Sequence, residues 1–144
     1  MILDFCVASD ALLDKDFEKS LRDLIGSFGY EVDGSDEPIL GLILADCVQF
    51  LLDSTNQAFL PAGLKTYLLY MVMGRFYTQK VRTSGVPADF NFQGAVNRIK
   101  QIQEGGDSVV FADDEPVEDK FLAYMDFYAS GGDRRWLHYR RLTW

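Results

Sequence analysis

Four stretches of this chain carry apolar residues at helical spacing, each fenced by glycine, proline or acidic residues, and that pattern confines the fold to packed helices. In the first, Asp14 to Phe28, the apolar positions are Phe17, Leu21, Leu24, Ile25 and Phe28, and Gly29 is the stop. The second is capped by Ser35 or Asp36, accepts Pro38 in its first turn and runs to about Asp53. Its stripe is Leu40, Ile43, Leu44, Cys47, Val48 and Leu51, while Ile39, Leu42 and Phe50 widen the apolar surface beyond what one neighbour covers, so this helix is expected at the centre. Pro61 opens the third, which carries Leu64, Tyr67, Leu68, Met71, Val72 and Phe76 and ends near Lys80. The fourth has Asp113-Asp114-Glu115 ahead of Pro116, shows Val117, Phe121, Leu122, Met125 and Tyr128 on one face, and stops at Gly131-Gly132.

The stretch from Arg82 to Gly94 holds Gly85, Pro87 and Asn91 with few periodic apolar residues, and it is expected to project as a loop. In the run Ala95 to Phe111, Val96, Ile99, Ile102, Val109, Val110 and Phe111 flank Glu104-Gly105-Gly106-Asp107, which suits a β-hairpin; a helix over Ala95 to Gln103 is the competing reading. The fold class is therefore mainly α. We expect a helical bundle of about four helices with at most one short hairpin, forming a domain over residues 1–132, followed by an extended C-terminal arm over 133–144. A length of 144 residues, 48% of them hydrophobic, suffices for one core without staples.

The formal charge of −8 sets the chain against phosphate backbones and anionic lipid, so a general nucleic-acid or membrane-surface binder is not expected. Counted by segment, the charge alternates in sign. Residues 1–53 hold twelve acids and three bases, 54–103 one acid and six bases, 104–126 eight acids and one base, and 127–144 one acid and four bases. Complementary faces of neighbouring subunits have this pattern, and so do segments paired within one molecule. The uncharged run Thr66 to Gly74 falls far short of the roughly twenty residues a bilayer requires, and no transmembrane helix is expected. The N-terminus, with an aspartate at position 4 and no basic region, does not read as a secretory signal. Cys6 and Cys47 make neither a disulfide framework nor a metal knuckle, which fits a reducing, cytoplasmic setting.

Groups suited to catalysis are sparse. The single histidine, His138, lies in the terminal segment, Cys47 lies on an apolar stripe as inert packing, and no neighbour in sequence activates Cys6. No P-loop, dinucleotide fingerprint or nucleophile elbow is present. The acids Asp113, Asp114, Glu115, Glu118 and Asp119 suit a helix start better than a cation, and Asp33-Gly34-Ser35-Asp36 lacks the remaining positions of a calcium loop. We expect no enzyme activity, no cofactor and no metal. The terminal segment is richer: four arginines interleave with Trp136, Tyr139 and Trp144 in twelve residues. Such a segment docks on its own domain, on a protein partner or on nucleic acid.

Two groups of residues resemble one family. Gly105-Gly106-Asp107-Ser108-Val109-Val110-Phe111 is similar to the hairpin of head–tail connector (adaptor) proteins of tailed bacteriophages, and Arg140-Arg141-Leu142-Thr143-Trp144 is similar to their arginine-rich, tryptophan-ended C-terminus. The order of parts resembles that family too, with Asp36-Glu37-Pro38-Ile39-Leu40 opening one central helix and Leu60-Pro61-Ala62-Gly63-Leu64-Lys65 the next. The likeness covers roughly residues 14 to 144; Tyr77-Thr78-Gln79-Lys80 departs from the acidic, amide and arginine residues expected after the tyrosine, and residues 1–13 extend beyond the usual start.

The resemblance implies a structural subunit that forms a ring, a dodecamer in the virion, below the portal protein at the neck, after assembly in the host cytoplasm. It implies a channel for genomic DNA that passes without specific binding, a platform for tail-completion or stopper proteins, no membrane and no reaction. On that reading Arg134, Arg135, Trp136, Tyr139, Arg140, Arg141 and Trp144 form an arm that docks on a neighbouring subunit or on the portal, released from its own core by the two glycines before it. The alternatives are a cytoplasmic helical regulatory module that binds one partner through the same arm and, third, a small enzyme.

Overall fold

In the computed structural model, which describes residues 1–8, 10–83, 85–102, 116–132 and 135–140, the chain is mainly helical and contains no strand among those residues. Among the described residues five α-helices follow one another: α1 (Lys15–Gly26), α2 (Glu37–Thr55), α3 (Lys65–Arg82), α4 (Phe92–Ile102) and α5 (Val117–Ala129). Short 3-10 turns lie at Ile2–Phe5 before α1, at Ala62–Leu64 before α3 and at Arg135–Tyr139 after α5. The packing order is nearly linear: the N-terminal turn lies on α2, α2 on α3, α3 on α5, and α5 on α4, with α1 against α3.

Local chemistry accounts for the boundaries. The Asp14 carboxylate accepts from the Phe17 N–H at 2.8 Å and caps α1. Helix α1 closes at Gly26, and the chain reverses through Gly29 at φ 106°, a conformation that a Cβ would strain. Asn56, left-handed at φ 52°, ends α2. Pro61 leads through a 3-10 turn into α3 rather than straight into an α-helix. Gly131 and Gly132, at φ 105° and 63°, end α5 as the sequence leads one to expect.

Most of the stripe residues read from the sequence form the core. Phe17, Leu21, Ile25, Leu40, Leu44, Cys47, Leu51, Leu68, Met71, Phe76, Phe121 and Met125 are buried, while Leu24, Ile43, Tyr67, Val117 and Leu122 are partly buried and pack against it. Helices α3 and α5 approach closely at Gly74, where an added Cβ would stand 2.6 Å from the Met125 carbonyl oxygen and 2.7 Å from the Ala129 nitrogen. Among the described residues α2 alone is long and apolar enough to cross a membrane, with a mean hydropathy of 1.4; 39% of that window is buried inside the bundle. The buried part packs against the N-terminal turn, α3 and the C-terminal turn.

Two expectations change. Residues 92–102 form α4, so the helical alternative over Ala95 to Gln103 holds for them and the first strand of the hairpin does not form; residues 103–111, with the rest of that hairpin, lie outside the described residues. Ala95, Val96 and Ile99 lie on one helical face and are buried, which a strand of that length would split between two faces. The loop expected to project turns inward at Phe90, whose ring packs between Tyr77 at 6.0 Å, Phe92 at 4.9 Å and Phe121 at 5.7 Å. Three aromatic neighbours outweigh the loop's polar composition.

Candidate functional site

The C-terminal segment lies on its own bundle over the residues described. Trp136 is 2% exposed; its ring meets Phe50 edge to face at 5.6 Å, and its indole N–H donates to the Gly131 carbonyl oxygen at 2.8 Å. Further on, Gln57 Nε2 donates to the Tyr139 carbonyl oxygen at 2.8 Å, and the Tyr139 hydroxyl end lies over Gly63, where an added Cβ would displace it. The arm is thus anchored at two points on one side of the molecule. Trp136 is a core residue, which corrects the expectation that it belongs to an arm swinging free: the glycine turn redirects the chain, and the indole pairs with that same turn. Arg140 and His138 are exposed, with the His138 ring 5.9 Å from Tyr139. Arg135 opens the 3-10 turn; Arg134, Arg141 and Trp144 lie outside the described residues.

A second cluster joins α2 to α3. Asp36, the residue before α2, does not cap with its side chain. Its carboxylate, 3% exposed, instead meets Lys80 Nζ at 2.6 Å and accepts from the Tyr30 hydroxyl at 2.8 Å and the Asp33 N–H at 3.2 Å. The Lys80 ammonium stands 5.2 Å over the Tyr30 ring and 5.7 Å over that of Phe76. Burial disfavours the Lys80 ammonium, but hydrogen bonds to Asp36 and Tyr30 outweigh it and hold its pKa above the ordinary value of 10.5. Every group here is spent on another, as in a structural clasp. Sequence reading missed it because residues 30, 36 and 80 carry no shared motif.

The remaining candidates are accounted for by packing. Burial pushes the Cys47 thiol up to about 12 and also raises that of Cys6, and neither lies beside a base that would activate it. The Asp33 carboxylate accepts from Ser35, and among the described residues no three potential ligands gather for a metal ion. Glu118 and Asp119 stand exposed in the first turn of α5, while Asp113, Asp114 and Glu115 lie outside the described residues. An open groove of about 730 Å³ runs past Arg22, Asp23, Ser27 and Glu31, with charges of both signs on its walls.

The surplus apolar surface of α2 is the feature the sequence did mark. Phe50 is half-buried under Trp136, but Ile39 and Leu42 stay exposed, Leu42 at 57%. Phe5 of the N-terminal turn packs over Gly41 beside them. This surface, together with the arm, is the candidate site, and it offers contact rather than chemistry. No protein-family model, no curated protein and no solved structure matches the chain.

Proposed function

We propose that this chain is the structural subunit of a head–tail connector of a tailed phage or prophage, assembling as a ring below the portal around a channel for the genome. The observation that carries it is the pairing of α2 with α3, the two helices opened by Asp36-Glu37-Pro38-Ile39-Leu40 and Leu60-Pro61-Ala62-Gly63-Leu64-Lys65, with Arg140 exposed just after the arm's anchor at Tyr139. On this reading Trp136 and Tyr139 anchor the arm, while Arg134, Arg135, Arg140, Arg141 and Trp144 meet a neighbouring subunit, the portal or a stopper protein. A formal charge of −8 suits a channel wall that lets duplex DNA slide, since it offers phosphates repulsion rather than a grip. Native mass spectrometry with negative-stain imaging of the full chain tests the proposal. A closed ring with an open centre supports it. A strict monomer, a two-fold dimer, or duplex binding tighter than the ordinary non-specific range of roughly 10⁻⁴ to 10⁻⁶ M overturns it.

A further inference from the structure

Seven large apolar side chains stand exposed among the described residues, and they fall at the two ends of α2. Near the end of α2 lie Phe59, 76% exposed, and Leu137, on the loop and turn that hold the arm. The other five belong to the start of α2 and to the N-terminal segment that lies on it. Ile39 and Leu42 are one turn apart on α2, Phe5 packs on Gly41, Met1 is held to Glu37 by its ammonium, and Val7 follows two residues after Phe5. The border of this floor is acidic: Asp46 continues the exposed stripe of α2 one turn below Leu42, and Asp4, paired with the N-terminal ammonium, is exposed next to Phe5. Asp46 forms no ion pair among the described residues.

We infer that this floor seats the last residues, Arg140 to Trp144, of a second copy of the chain. The segment has the composition the floor asks for, with Leu142 and Trp144 to cover Leu42 and Phe5 and two arginines for the acidic border. Its own copy cannot supply it. The arm passes Phe50 at Trp136 and reaches Gln57 at Tyr139, so it travels along α2 away from Leu42. From Leu42 to Gln57 the chain spans about 22 Å, whereas the four residues after Arg140 extend at most about 14 Å. Residues 103–115, which lie outside the described residues, carry five acids and no base, and the acidic border repels such a segment.

Seat and arm lie at opposite ends of one helix, so the contact is head to tail and leaves one seat and one arm open for the next copy. This deepens the assembly reading above by naming the surfaces that join. It also stands without a ring, since the same contact repeated with a different rotation builds a filament.

Complementation between two full-length-fold variants decides the matter. Leu42→Glu spoils the seat and keeps the arm; a chain ending at Arg140 keeps the seat, Trp136 and Tyr139 and loses the rest of the arm. Each alone is expected to sediment as a monomer under conditions where the unaltered chain assembles, and an equimolar mixture is expected to double in mass as a one-to-one complex that salt dissociates. Asp46→Arg serves as the second seat variant and is expected to behave as Leu42→Glu does. A mixture that stays monomeric, a variant that assembles alone as the unaltered chain does, or an unaltered chain that remains monomeric overturns the inference. If the variants complement but the unaltered chain builds only filaments, the seat stands and the connector reading falls. If rings form and survive both changes, the connector reading stands and the seat falls.

Discussion

The indole N–H of Trp136 donates to the carbonyl oxygen of Gly131, five residues earlier, so the glycine turn that ends α5 also receives the chain it has redirected. A segment with the charge of a solvated tail is tied to the bundle through one buried ring. Replacing Trp136 by alanine is expected to cost about 3–5 kcal/mol, as for other fully buried tryptophans, whereas removing residues 141–144 leaves the unfolding midpoint nearly unchanged. Urea unfolding of the two variants measures the contrast; equal stabilities would separate the arm from the core.

Lys80→Met is expected to destabilise the protein by about 3–5 kcal/mol, because it leaves the Asp36 carboxylate buried without its cation. The double variant Asp36→Asn with Lys80→Met is expected to regain part of that loss, since no net charge remains in the clasp. A double-mutant cycle by chemical denaturation gives the coupling, and fully additive losses would contradict the pairing.

The pH dependence has two ends. Glu37 is held below its ordinary value of 4.5 by the Arg22 guanidinium and the N-terminal ammonium, so its contribution is present above about pH 4.5 and is lost as pH falls through the lower folded value. Lys80 is held above 10.5, so its contribution is present below about pH 10.5 and is lost as pH rises through the higher folded value. Denaturation midpoints across pH are expected to fall at both ends, with Arg22→Ala flattening the acid limb and Lys80→Met the alkaline one.

Cys47 is expected to react with iodoacetamide far more slowly than Cys6 in the folded protein, because burial both shields the thiol and pushes its pKa up to about 12. Mass spectrometry of peptides after timed alkylation reads the order, and unfolding should equalise the two rates. Cys47→Ala is expected to cost about 1–2 kcal/mol through the small cavity it leaves.

Long stripes made α1, α2, α3 and α5 legible from sequence, since each repeats its apolar face over three turns or more. Helix α4 was legible only as the competing reading over Ala95 to Gln103, because Val96 and Ile99 form too short a run to fix a period and Gly94 weakens it further. Phe90 and Trp136 were placed outside the core by their polar neighbours, yet a single aromatic ring is decided by the tertiary pocket it meets, not by local composition. Asp36 was read as a cap and is one by position only, because Lys80, forty-four residues on, competes for its carboxylate. Of the candidate site, the excess breadth of the α2 stripe at Ile39 and Leu42 was visible in the sequence; the contribution of Phe5 was not, since it depends on Gly41 letting the N-terminal turn lie close.

Tyr77 touches Phe28, Tyr30, Phe76, Phe90 and Phe121 with its ring, and its hydroxyl donates to the carbonyl of Ile25 at the end of α1. One side chain in the middle of the sequence therefore waits for partners on both sides of it, the last of them at position 121. During synthesis α1, α2 and α3 emerge without the ring that closes their core, and their apolar faces stay open until α5 has left the ribosome. The interval between the appearance of residue 77 and that of residue 121 is the period in which the growing chain is most exposed to aggregation or to a chaperone, and shortening the chain ahead of α5 would make that exposure permanent.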